Sequence, residues 1–146
     1  MLDFPLPDCL ARLLAAGVWP CPEGPSMNEQ QLRPIISKDR VRKFAAEETL
    51  VCLQPPPFPT IAKVRAAGGA RDFWERFGAL GQIDPELAVI IGDFGLGSDS
   101  PIILDYAQNP SNPPVRRLRW GSQGHGNEWV TGTFDFDEFA KILGLA

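Results

Sequence analysis

The sequence predicts an α+β fold, an antiparallel sheet of about four to six strands flanked by N-terminal and C-terminal helices. Three observations carry this. The second half holds apolar runs of strand length, separated by gaps too short for crossover helices, so neighbouring strands pair antiparallel. Amphipathic helical spacing falls early and late in the chain. Finally, 15 Pro and 14 Gly in 146 residues favour many turns and few long helices.

The elements follow in order. Leu6 to Ala16 reads as a short helix: Pro7 suits its first turn, Leu10, Leu13 and Leu14 share a face, and Gly17 suits a left-handed cap. Ser26 and Glu29 have capping-box spacing, so a helix over Met27 to Leu32 is expected, stopping near Pro34. Ser37 to Ala46 reads as another helix, with Val41, Phe44 and Ala45 on one side. Thr49 to Gln54 is strand-compatible and runs into Pro55-Pro56-Pro57-Phe58-Pro59, a stiff corner whose prolines donate no ladder bonds. Arg71 to Phe77 is expected to make one or two helical turns.

Leu87 to Gly92 is a continuous apolar run, the pattern of a strand buried on both faces. Ile102, Leu104 and Tyr106 alternate with Ile103 and Asp105. Val115 to Trp120 puts Leu118 and Trp120 on one face and Arg117 and Arg119 on the other, and Asn127 to Thr133 carries Trp129. The last helix is the clearest: Asp135 and Glu138 have capping-box spacing, Phe136, Phe139, Ala140 and Leu143 share a stripe, and Gly144 ends it. One domain over residues 1–146 is expected, with residues 1–48 as a helical N-terminal region.

Composition narrows the function. The hydrophobic fraction of 44% and charged fraction of 22% are ordinary for a globular chain. A net charge of -4 argues against nucleic acid, whose phosphates demand a basic face. The cluster Arg116, Arg117 and Arg119 reads as a solvated strand face. Cys9, Cys21 and Cys52 are odd in number and lack metal or redox spacing, so reduced, partly buried thiols are expected. No apolar run is long enough for a membrane span and the N-terminus lacks a signal pattern, so a cytoplasmic protein with no membrane partner is expected.

The most telling stretch is Ile90-Ile91-Gly92-Asp93-Phe94-Gly95-Leu96-Gly97-Ser98-Asp99-Ser100-Pro101, a strand entering a glycine- and aspartate-rich turn. No Lys or Arg occurs from Gln82 to Ser111, while Asp84, Glu86, Asp93, Asp99 and Asp105 all do. Asp93-Phe94-Gly95 spells the magnesium tripeptide of protein kinases, but the other kinase motifs are missing. The glycine spacing does not fit a dinucleotide fingerprint, and Gly95, Gly97 and Leu104 stand where a calcium loop needs oxygen ligands. Glycines at positive φ and aspartates bonding nearby amides explain the turn structurally. His125, between two glycines, is poorly held for general-base work. No catalytic residue, cofactor or metal is therefore expected.

Ile91 to Asp99 and Pro101 to Tyr106 resemble bacterial members of the SUKH superfamily, the Smi–Knr type. So do Pro114-Val115, Leu118-Arg119-Trp120, Trp129, Phe136-Asp137-Glu138-Phe139-Ala140 and Leu143-Gly144-Leu145, in that order. The Pro55-Pro56-Pro57-Phe58 corner fits one branch, and the resemblance covers the chain from about Thr49 onward. It implies an α+β fold and non-enzymatic protein binding. Many bacterial members look like immunity proteins that neutralise a cognate toxin, often a nuclease, and fungal relatives are regulators of cell-wall assembly. The expected function is thus an immunity-type module with a basic protein partner. The alternatives are a regulatory or scaffold protein and a carboxylate-dependent hydrolase. The expected binding face is Asp93, Ser98, Asp99 and Asp105, with Trp120 or Trp129 as anchor.

Overall fold

The computed structural model describes residues 5–19, 36–46, 48–54, 56–67, 79–94, 101–119, 127–130 and 134–146. Within them the order is α1 (Asp8–Ala15), α2 (Lys38–Phe44), β1 (Cys52–Leu53), α3 (Ile61–Ala66), β2 (Ala88–Asp93), β3 (Pro101–Asp105), β4 (Val115–Arg119), β5 (Glu128–Val130) and α4 (Phe136–Leu143). A short 3-10 turn, Leu80–Gln82, precedes β2. The five strands form one sheet in chain order, every neighbour antiparallel. The fold is α+β, with helices at both ends of the chain as the sequence predicts. The helix expected at Met27–Leu32 and the turns at Arg71–Phe77 lie outside the described residues.

Local chemistry sets the helix ends. Ser37, Thr60 and Asp135 cap α2, α3 and α4, accepting from the backbone N–H of Arg40, Lys63 and Glu138 at 3.4, 3.1 and 2.9 Å. At the end of α1, Gly17 takes φ +73°, so Val18 N–H reaches Leu13 O at 3.0 Å and Gly17 N–H reaches Leu14 O at 3.2 Å. Gly144 does the same for α4 at φ +79°, with Leu145 N–H on Ala140 O at 2.8 Å. The α3 helix is not among the expected elements. Its signal is Thr60 ahead of Ile61 and Val64, overshadowed by the prolines before it.

The sheet is covered on both faces. One face packs Val89, Ile91, Ile102, Leu104 and Val115 against the helices through Leu10, Leu13, Val41, Phe44, Phe136 and Phe139. Fully buried Trp19 packs on Phe58 and Phe136, with ring centroids 6.3 and 5.7 Å away, and its indole N–H donates to Gln54 O at 2.8 Å. The opposite face packs Ala88, Ile103, Leu118 and Trp129 on Ile61 of α3, with Val64, Leu80 and Ile83 at its margin.

β2 holds a bulge. Ile90 lies opposite Ile103 but Gly92 lies opposite Ile102, so Ile91 is an extra residue. The bulge keeps Ile91 in the larger core and lets Phe94 join it. Gly92 meets β1 so closely that a Cβ there would lie 2.8 Å from Cys52 O. At the other end, Tyr106 is buried and its hydroxyl donates to Pro5 O at 2.7 Å, tying the segment before α1 to the end of β3.

Gly92→Ala is expected to destabilise the fold by about 1–3 kcal/mol, because the clash is with backbone that must shift. Gly81→Ala, with open space around it, serves as the control. Urea unfolding of the two variants checks this, and equal midpoints would remove the close approach as a constraint. Burial also pushes the Tyr106 phenol up to about 12. An unfolded tyrosine ionises near pH 10, so stability is full below about pH 10 and falls as pH rises through 12, by about 2–3 kcal/mol. Tyr106 is the single tyrosine of the chain, so tyrosinate absorbance reports it alone. Its midpoint is expected near pH 12 in the folded protein and near 10 in denaturant.

Candidate protein-binding face

β2 carries Asp93 to the end of the sheet. There it lies opposite Cys52 of β1 and Pro101 of β3, and is half-buried. Burial pushes the Cys52 thiol up, and the Asp93 carboxylate beside it adds to the shift. Cys9 is raised in the same way, first by burial and then by Asp137, with Arg12 opposing. Both thiols are buried and free of disulfides, and both stay protonated at neutral pH. Ser98, Asp99 and Trp120 lie outside the described residues, as do His125 and Cys21.

Two expected face residues are interior ones. Asp105 is 1% exposed, on the smaller face of the sheet, and its Oδ2 accepts from Arg116 Nη1 at 2.9 Å. Its Oδ1 accepts from Ala107 N–H at 3.1 Å, closing the turn after β3. A carboxylate held this way presents no charge to a partner. Trp129 is 2% exposed and packs with Ile61, Ala88, Ile103 and Leu118, so its ring is core rather than an anchor.

The arginine cluster also differs from the solvated face expected. Arg116 and Arg117 are buried, and only Arg119 is exposed, paired with Glu128. The residues alternate as the sequence predicts, but both faces of β4 are covered. Arg117 lies over the Phe94 ring, 5.8 Å from its centroid. Arg116 is the centre of a polar network. Besides Asp105 it donates from Nη2 to Trp129 O at 2.9 Å and from Nη1 to Gln82 O at 3.4 Å. Gln82 in turn accepts from Trp129 N–H at 2.8 Å and donates from Nε2 to Asn127 O at 3.3 Å.

The remaining acids divide between two places. Asp84 and Glu86 are exposed just before β2, where Asp84 Oδ1 accepts from Glu86 N–H at 3.0 Å. Asp93 ends the same strand, about 16 Å along it from Ala88 at strand rise. Sequence reasoning alone misses a cationic cluster. Lys38, Arg40, Arg42 and Lys43 all lie exposed on α2. The signal is plain in the composition of that segment, behind the apolar spacing that marks it as a helix.

Among the described residues no group of three or more His, Cys, Asp or Glu side chains could hold a metal ion. No described helix is long and apolar enough to cross a membrane. The chain matches no family model, no curated protein and no solved structure.

Arg116→Met is expected to destabilise by about 3–5 kcal/mol, because it strands the Asp105 carboxylate in the interior. Adding Asp105→Leu to it should recover much of that loss, since an apolar pair of similar volume replaces an ion pair. Chemical unfolding of the singles and the double checks this. A double variant as unstable as the sum of the singles would deny the coupling.

Proposed function

We propose that the chain is a non-enzymatic protein-binding module of the immunity type, which neutralises a basic partner such as a cognate toxin. One observation carries the reading. The stretch from Gln82 to Ser111 holds no cation of its own, and Asp105 is neutralised inside the sheet by Arg116 of β4. Asp84 and Glu86 lie exposed and Asp93 half-buried, with Asp84 held by the turn it closes and Asp93 on the end of β2. Rigid acids attract a basic protein through steering and lose little side-chain freedom when it docks. The resemblance of Ile91 to Tyr106 to the SUKH superfamily supports the same class, since many bacterial members of it look like toxin-neutralising proteins. In this reading the binding residues are Asp93, Ser98 and Asp99, with Asp84 and Glu86 added. Trp120 is kept as anchor, and Asp105 and Trp129 are removed.

The test is a pull-down with purified tagged protein from lysate of its source organism at low and moderate salt, followed by kinetics with the captured partner. A single stoichiometric basic protein is expected, eluting with salt. Asp93→Lys with Asp99→Lys should slow its association by about tenfold. A diffuse set of weak partners would point instead to a regulatory or scaffold role. Unchanged kinetics in the double variant would remove the acidic turn from the interface.

A further inference from the structure

The α2 helix places four cations, Lys38, Arg40, Arg42 and Lys43, in six consecutive positions with a single acid, Asp39. Val41 and Phe44 fix the helix in the larger core, so the charged positions all face outward and all are exposed. Arg40 serves the fold itself. Its Nη1 donates to Ile142 O at 3.4 Å, at the C-terminal end of α4, where a cation is favoured. Arg42 and Lys43 lie in the last turn of α2 and complement its own C-terminus. Lys38 has no such reason. It stands in the first turn, the end where a cation is disfavoured, and one turn from the like charge of Arg42. Among the described residues no carboxylate stands within 4.0 Å of Lys38, Arg42 or Lys43. Lys38 and Arg42 thus repel one another across a turn, while the single acid Asp39 is spaced to offset Arg42 and Lys43 only in part.

We propose that the exposed face of α2 is a docking surface for an acidic protein segment, held by Lys38, Arg42 and Lys43. The seven residues of α2 extend about 10 Å, which matches two or three alternate carboxylates on an extended strand. A nucleic acid fits less well. The one aromatic of α2, Phe44, is buried, so no base can stack there, and the chain's net charge of -4 opposes a long polyanion. The cations of α2 share no residue with the acidic face of the proposed function and are opposite to it in sign, so either proposal can fail without the other.

The test is fluorescence anisotropy with a labelled octaglutamate peptide and, in parallel, a labelled oligothymidylate. The peptide should bind the wild-type protein at low salt and weaken steadily as salt rises. The triple variant Lys38→Gln, Arg42→Gln, Lys43→Gln removes like charges from an exposed helix and is expected to stay folded by circular dichroism. It should bind the peptide at least about tenfold more weakly, while Lys63→Gln on α3 leaves binding unchanged. No peptide binding at low salt would overturn the proposal, and so would equal binding by the triple variant. Tighter binding of oligothymidylate than of peptide would overturn the assignment of an acidic protein partner.

Discussion

Everything in the sheet depends on the burial of β3. All five of its residues are inside, and its two neighbours pair it along both edges. Ile102 and Leu104 enter the larger core and Ile103 the smaller one, which leaves Asp105 to end the strand beneath α3 and the 79–83 segment. A carboxylate in such a place must meet a cation or lose its charge. Arg116 from the adjacent strand meets it, and the guanidinium has donors to spare. Those donors reach the carbonyl of Trp129 on β5 and that of Gln82 in the covering segment. One ion pair therefore links three strands to the layer above them. Desolvation offsets much of its Coulomb gain, so its value lies more in fixing where β5 and the covering segment go than in net stability.

The same network closes an edge. Among the described strands β5 is the last of the sheet, and a terminal strand presents backbone donors and acceptors that invite another chain. The N–H of Trp129 donates to the Gln82 side chain rather than to β4. The Gln82 amide also donates to Asn127 O, so one side chain offers the acceptor and donor that a paired peptide unit would offer. Arg116 takes the carbonyl of Trp129 at the same place. Gln82 is itself exposed, so apolar burial does not explain its position. Its hydrogen bonds do.

Much of this fold was legible because strand and helix periods report which faces are covered. The unbroken run Leu87 to Gly92 spoke of a strand buried on both sides, and β2 is one. The capping pattern of Asp135 with Phe136, Phe139 and Leu143 located α4 to the residue. What failed was the meaning of charge at a strand position. Asp105 ends an apolar run and Arg116, Arg117 and Arg119 crowd a single strand, which is also how a solvated face reads. Only contact across strands distinguishes the two cases: Asp105 and Arg116 stand on neighbouring strands, eleven positions apart in sequence. Trp129 misled for a related reason. A tryptophan in a short, polar strand serves equally as anchor or core, and the decision belongs to α3, an element the prolines had hidden. For Ser98, Asp99 and Trp120 sequence and chemistry alone speak.

A net charge of -4 averages over an uneven molecule. The cations of α2 stand on the helical layer over the larger core, where Val41 and Phe44 hold them. The acids Asp84, Glu86 and Asp93 flank β2, with Asp93 alternating away from the larger core that Phe94 and Gly92's neighbour Ile91 enter. At physiological ionic strength the Debye length is about 8 Å, shorter than the distance through a sheet and a helix packed upon it. Screening is incomplete at the Asp93 end of β2, because Phe94 beside it stacks on Phe44 of α2, ring centroids 5.9 Å apart. The total charge governs solubility and long-range encounter, while the sign felt at contact is set by the element that is touched. An acidic chain of this build thus exposes charge of both signs, the cations of α2 and the acids Asp84 and Glu86, and each group sets the sign that a partner meets there.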